Sequence, residues 1–111
     1  MKTIEYTRED LIAICERAIV PVEEWSNRDS PRSHERLGTA WALLKAGCDW
    51  RIAEDMYDRS KEREETIWIR IEYPGFDAFE YGRSDKSTWD DELFYLPTVE
   101  RLDRRAGSDW Y

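Results

Sequence analysis

Histidine is almost absent from this chain, and its scarcity sets the first limit on function. His34 stands alone, beside two cysteines, Cys15 and Cys48. Structural zinc sites draw four ligands from these two residue types, so an ordinary zinc site is excluded. Both cysteines sit inside apolar patterns, which predicts buried, reduced thiols in preference to a disulfide between them. None of the five glycines falls in a loop that cradles phosphate. Long hydrophobic runs are also missing, since a bilayer-spanning helix needs about 20 apolar residues. The opening "MKTIEYTRED" places acids where the apolar core of a secretion signal follows its lysine. These absences predict a soluble, cytoplasmic protein with no membrane partner. Positive charge is scarce too, with 17 Lys and Arg against 25 Asp and Glu, a net charge of −8. Duplex nucleic acid requires a basic footprint, so its direct binding is not expected.

What the chain does contain is large and apolar. Hydrophobic residues make up 41% and aromatics 14%, against 5 Gly and 4 Pro, which is not the composition of a disordered segment. A chain of 111 residues buries roughly two-thirds of its unfolded surface. One compact domain over residues 1–111 is the expected organisation. Its acidity is concentrated in residues 49–92, which carry 14 acids and 7 bases. Such a surface favours basic partners, although plain solubility accounts for it equally.

Periodicity supplies the elements. Thr7 is a natural helix cap, followed by Glu9 and Asp10 in the first turn. Leu11, Ile14, Cys15 and Ala18 recur at helical spacing, predicting a helix over about 7–19 that ends before Pro21. Ser30-Pro31 is a second helix start, a hydroxyl cap followed by a residue whose missing N–H costs nothing there. Leu37, Ala40, Trp41, Leu44 and Cys48 extend that helix over about 31–46, with Gly47 as its stop. Residues 49–65 read as a short helix or structured loop beginning at Asp49. In "TIWIRIEY" (66–73), isoleucines alternate with Trp68, Arg70 and Glu72, the pattern of a strand with one buried face. Pro74-Gly75 signals a turn, and "FDAFEYG" (76–82) is expected to return as an antiparallel strand. A third strand is expected at about 92–96, and a Thr98-capped helix at about 98–106. The fold class is therefore α+β: about three antiparallel strands packed by two N-terminal helices and one C-terminal helix.

The segments "ICERAIVPVEEWSNRDS", "LGTAWALLKAGCDW", "TIWIRIEYPGFDAFEYG" and "ELFYLPTVERLDRRAGSDWY" resemble small uncharacterised proteins encoded by phages and prophages of actinobacteria. The resemblance covers nearly the whole chain. It implies an origin in GC-rich DNA, in keeping with 13 Arg against 4 Lys, and it brings no activity, cofactor or site residue with it.

Candidate chemistry is sparse. A hydrolase or nuclease would need His34 beside Ser30 or Ser33 with an orienting carboxylate. Ser33 and His34 are neighbours about 100° apart on a helix, Ser30 is better used as a cap, and no glycine-rich elbow is present. Glu54, Asp55 and Asp58, or Asp90-Asp91-Glu92, lack the spacing of a cation loop, so no metal and no cofactor are expected. Tryptophan is the anomaly, with six in the chain. Trp41 belongs to a core stripe, whereas Trp25, Trp50, Trp89 and Trp110 fall near element ends. Displayed indoles anchor protein interfaces, and buried ones close the edges of a small core. With Asp90, Asp91, Glu92 and Tyr111, these four form the candidate partner-binding set, and His34 remains a candidate functional histidine. The expected role is a non-catalytic acidic module, a phage accessory product binding a host protein, with nucleic-acid mimicry as one form of it. A His34-dependent hydrolase or nuclease is the alternative, and a phage assembly component is a third.

Overall fold

A computed structural model describes residues 5–53 and 65–106. Trp110 and Tyr111 of the candidate set lie outside the described residues, as do Glu54, Asp55 and Asp58. Helix α1 (Arg8–Ala18) begins where its chemistry directs: the Asp10 N–H donates to Thr7 Oγ1 at 3.1 Å, and the Thr7 N–H donates to Asp10 Oδ2 at 2.9 Å. This reciprocal box satisfies two donors that helix geometry leaves free. Leu11, Ile14, Cys15 and Ala18 form its buried stripe.

Helix α2 (Pro31–Lys45) is capped in the same manner by Ser30 and Ser33, with Pro31 as first helical residue. It stops at Gly47, whose φ of +90° is the left-handed conformation that favours glycine. There the Cys48 N–H reaches the Leu43 carbonyl and the Gly47 N–H that of Leu44, both at 3.1 Å. That pair of bonds is a Schellman closure. Leu37, Ala40 and Leu44 are buried. Trp41 is only half-buried, because its indole lies at the helix border, donating to Glu16 Oε2 at 3.1 Å beneath the Lys45 ammonium.

The sheet has three antiparallel strands in the order β1 (Asp49–Ile52), β2 (Thr66–Pro74) and β3 (Trp89–Pro97). Two expectations need correction. Residues 49–52 are a strand, not the start of a helix, since Trp50 and Ile52 alternate and pair with Ile71 and Ile69 of β2. Residues 76–81 form a helix, α3 (Phe76–Tyr81), not a returning strand. Both edges of β2 are already taken, by β1 and by β3, whose register runs from Thr66↔Pro97 to Pro74↔Trp89. β3 is accordingly longer than the expected 92–96. Helix α4 (Val99–Ala106) completes the chain order, with Thr98 Oγ1 accepting from the Arg101 N–H at 3.3 Å.

Helices α1 and α2 cover one sheet face. Leu11, Ile14, Cys15, Ala40 and Leu44 meet Ile69, Ile71, Phe94 and Leu96 there, and Leu102 of α4 joins them. The architecture is α+β. Trp68 points to the opposite face, yet it is buried beside Tyr95 at a centroid distance of 5.1 Å. Around that pair the outer face is polar: Arg51 pairs with Glu72, and Arg51 and Arg70 each lie 3.5 Å from Asp91.

Candidate interaction surface

Helix α3 leaves the end of β2 through Gly75. A Cβ at this position would lie 2.6 Å from the Thr88 carbonyl oxygen and 2.8 Å from Asp90 Oδ2. Only glycine lets the chain pass so close to the start of β3. Gly75→Ala is therefore expected to cost about 1–3 kcal/mol by overpacking, because the Thr88 oxygen is backbone and cannot swing aside. Urea denaturation measures this; a midpoint unchanged from the parent would contradict the close approach.

Gly82 ends α3 in the left-handed conformation, φ +64°, and the Arg83 N–H returns to the Ala78 carbonyl at 3.1 Å. Between these two glycines the helix stands on one small residue, buried Ala78. Its aromatic side chains turn outward. Phe76, Phe79 and Tyr81 are 75%, 76% and 72% exposed, whereas Phe94 in the core is 1% exposed. Asp77 and Glu80 accompany them, and no ion pair among the described residues engages either carboxylate.

The neighbouring turn is built from its own polar groups. Asp85 accepts from the Ser87 hydroxyl and N–H, which together hold its carboxyl below the ordinary carboxylate range. Lys86 pairs with Asp49, lies 3.9 Å from Glu72, and covers Trp89 at 5.3 Å from the ring centroid. Trp89 is half-buried beneath it, its Nε1 and the Thr88 hydroxyl buried without a hydrogen-bond partner among the described residues.

Of the acidic candidates, Asp90 is exposed close to Gly75. Asp91 is shared by Arg51 and Arg70, and Glu92 is held by Arg36 at 2.6 Å. The "DDE" run is thus largely neutralised by basic residues from α2, β1 and β2. Tyr73, on the adjoining strand, still senses these acids. Burial is the main cause that raises its phenol, with Glu92, Asp90 and Asp91 adding to it.

The described candidate tryptophans are engaged by the fold. Trp50 packs half-buried against the core. Trp25 stacks on His34, with ring centroids 4.6 Å apart and planes 26° from parallel, and donates through Nε1 to the Val20 carbonyl at 3.1 Å. His34 is committed on both nitrogens. Nε2 accepts from the Val20 N–H at 3.4 Å, so in the neutral ring the proton resides on Nδ1, 3.3 Å from the Ser30 carbonyl. Asp29 Oδ1 is 4.0 Å away, and its second oxygen accepts from the Ser26 N–H at 2.9 Å and hydroxyl at 3.2 Å. The Ser30 hydroxyl accepts from the Ser33 N–H, as a cap does. This constellation fastens the α1–α2 connection; it offers no free base and no activated hydroxyl. Arg28, in the same connection, reaches Glu65.

A shallow hollow of about 370 Å³ is lined by Arg8, Asp49, Trp50, Arg51 and Glu72. Its charges are already paired, and Arg8 donates to the Leu44 and Cys48 carbonyls at 2.9 and 2.6 Å. Among the described residues no cluster of three or more His, Cys, Asp and Glu is placed to hold a metal ion, and no helix is long and apolar enough to cross a membrane. The strand expected over "FDAFEY" hides the aromatic display on α3. One signal could have found it. Neither strand face of that segment is uniformly apolar, whereas Phe76 and Phe79 align at helical spacing and glycines bracket the turn. The chain matches no protein-family model, and comparison with curated proteins and with solved structures finds no match.

Proposed function

We propose that this chain is a non-catalytic protein-interaction module, an accessory protein of phage type that binds a host protein in the bacterial cytoplasm. The observation that carries the reading is α3. Three aromatic side chains, each about three-quarters exposed, stand on a helix with a single buried foot. An exposed aromatic cluster marks an interaction surface, because burying it against a partner recovers a large hydrophobic contribution. Trp89 and Asp90, at the start of β3 beside α3, extend the proposed surface. Mimicry of nucleic acid by "DDE" is the less favoured form, since Asp91 and Glu92 are already ion-paired. The engagement of both His34 nitrogens argues in the same direction, away from the hydrolase reading.

The test compares the full chain with its Phe76→Ala/Phe79→Ala variant as bait in an actinobacterial lysate. The expected result is one reproducible protein partner, lost with the double variant while thermal stability stays within a few degrees of the parent. Equal recovery by both baits would refute α3 as the contact surface.

A further inference from the structure

The unpaired charge on α3 specifies what sort of partner fits it. Phe76 and Phe79, three positions apart, are neighbours on the helix surface and form a short apolar ridge. Asp77 and Glu80 repeat the same spacing one position on, so a row of two carboxylates runs beside the row of two phenyl rings. On the sheet, Glu92, Glu72, Asp91 and Asp49 are matched by Arg36, Arg51, Arg70 and Lys86. On α3 the row has no such match among the described residues. At about three-quarters exposure, the two rings present on the order of 300 Å² of apolar surface, taking roughly 150–250 Å² for each aromatic side chain.

Accordingly, we propose that α3 is a docking ridge for a basic amphipathic helix of a partner protein. Apolar residues of the partner at i, i+3 and i+4 would close over Phe76 and Phe79. Lysines or arginines flanking that stripe would face Asp77 and Glu80. Two other occupants fit less well. A second copy of this chain brings a net charge of −8 against −8. A lipid surface would meet two carboxylates at the depth of the rings. The inference rests on the reading of α3 as a protein-contact surface and adds the chemistry of what is contacted.

The probe is a synthetic helical peptide with leucines at i, i+3 and i+4 flanked by lysines, titrated against the full-length protein by fluorescence anisotropy. A second peptide carries glutamate in place of each lysine. The lysine peptide is expected to bind, and the glutamate peptide to show no binding. Phe76→Ala/Phe79→Ala should weaken the lysine peptide by about tenfold, and Asp77→Asn/Glu80→Gln by about threefold or more, with a shallower salt dependence. Glu23→Gln/Glu35→Gln removes the same charge from residues outside α3 and should change affinity by less than about twofold.

If that outside pair weakens binding as much as the α3 pair, the attraction is only net charge and the proposal falls. Binding of the glutamate peptide, or of phosphatidylcholine vesicles in a Phe79-dependent manner, would overturn it too. So would self-association that is lost with the two alanines. Lysate capture that needs Phe76 and Phe79 but ignores Asp77 and Glu80 would leave α3 a protein-contact surface and refute only the basic helix.

Discussion

Phe94→Ala is expected to remove about 3–5 kcal/mol of stability, the range for emptying a large aromatic site in a packed core. Phe94 is 1% exposed, pairs with Ile69 across the central strands, and carries the Arg36 guanidinium 4.5 Å above its ring. The truncation would leave a cavity between the sheet and the two helices, and would withdraw the ring face on which Arg36 rests. Small domains hold only about 5–15 kcal/mol in reserve, so the variant should sit near its unfolding threshold at room temperature. Phe79→Ala supplies the matched control: the same deletion at a residue 76% exposed should shift stability by no more than about 0.5 kcal/mol. Equilibrium urea denaturation of the two variants separates a structural phenylalanine from a displayed one. A difference below about 1 kcal/mol between them would contradict this placement.

The second large effect is alkaline. Burial, with Glu16 nearby, pushes the Cys15 thiol up to about 12, whereas in an unfolded chain it ionises at about 8.5. Above that pH the unfolded state releases a proton that the native state retains. Stability is therefore unaffected by this group below about pH 8.5, and falls as pH rises towards 12. The loss across that window is on the order of 4–5 kcal/mol. Tyr6 and Cys48 act in the same direction, each raised mainly by burial. Stability measured from pH 8 to 12 should decline steeply for the parent and less steeply for Cys15→Ala. The Cys15 thiol should also resist alkylation at neutral pH until the chain is unfolded. Flat stability to pH 11, or rapid labelling of native Cys15, would show that the thiol is not buried as described.

The features that could be read from the sequence are those governed by residues within a few positions of one another. Thr7, Ser30-Pro31, Gly47 and Thr98 bound their helices through bonds spanning three to five residues, and each does what its residue type predicts. The alternation in 66–73 likewise belongs to one strand. What failed depended on distant partners. "DWRI" is too short to show a period, and is a strand only because β2 offers it an edge. "FDAFEYG" follows a turn dipeptide, but the place where a hairpin strand would go is occupied by β3. "DDE" reads as a free acidic cluster, yet Arg36, Arg51 and Arg70 come from three other elements to meet it. His34 sits at the rim of the α2 stripe, and its ring is claimed by Val20 and Trp25 across a connection whose path no local pattern reveals.

Arg36 has a consequence for how the sheet ends. β3 is nine residues long and has one strand neighbour among the described residues, the situation in which sheets recruit further strands. Arg36 donates to the Leu93 carbonyl and grips Glu92, so a side chain already occupies a main-chain acceptor that an incoming strand would use. Two residues before Glu92 on the same strand, exposed Asp90 would meet its like on an identical strand paired in register. Sheet growth is thus discouraged by a guanidinium at one point and by repulsion at another. One main-chain acceptor of that edge is thereby withheld from an incoming strand.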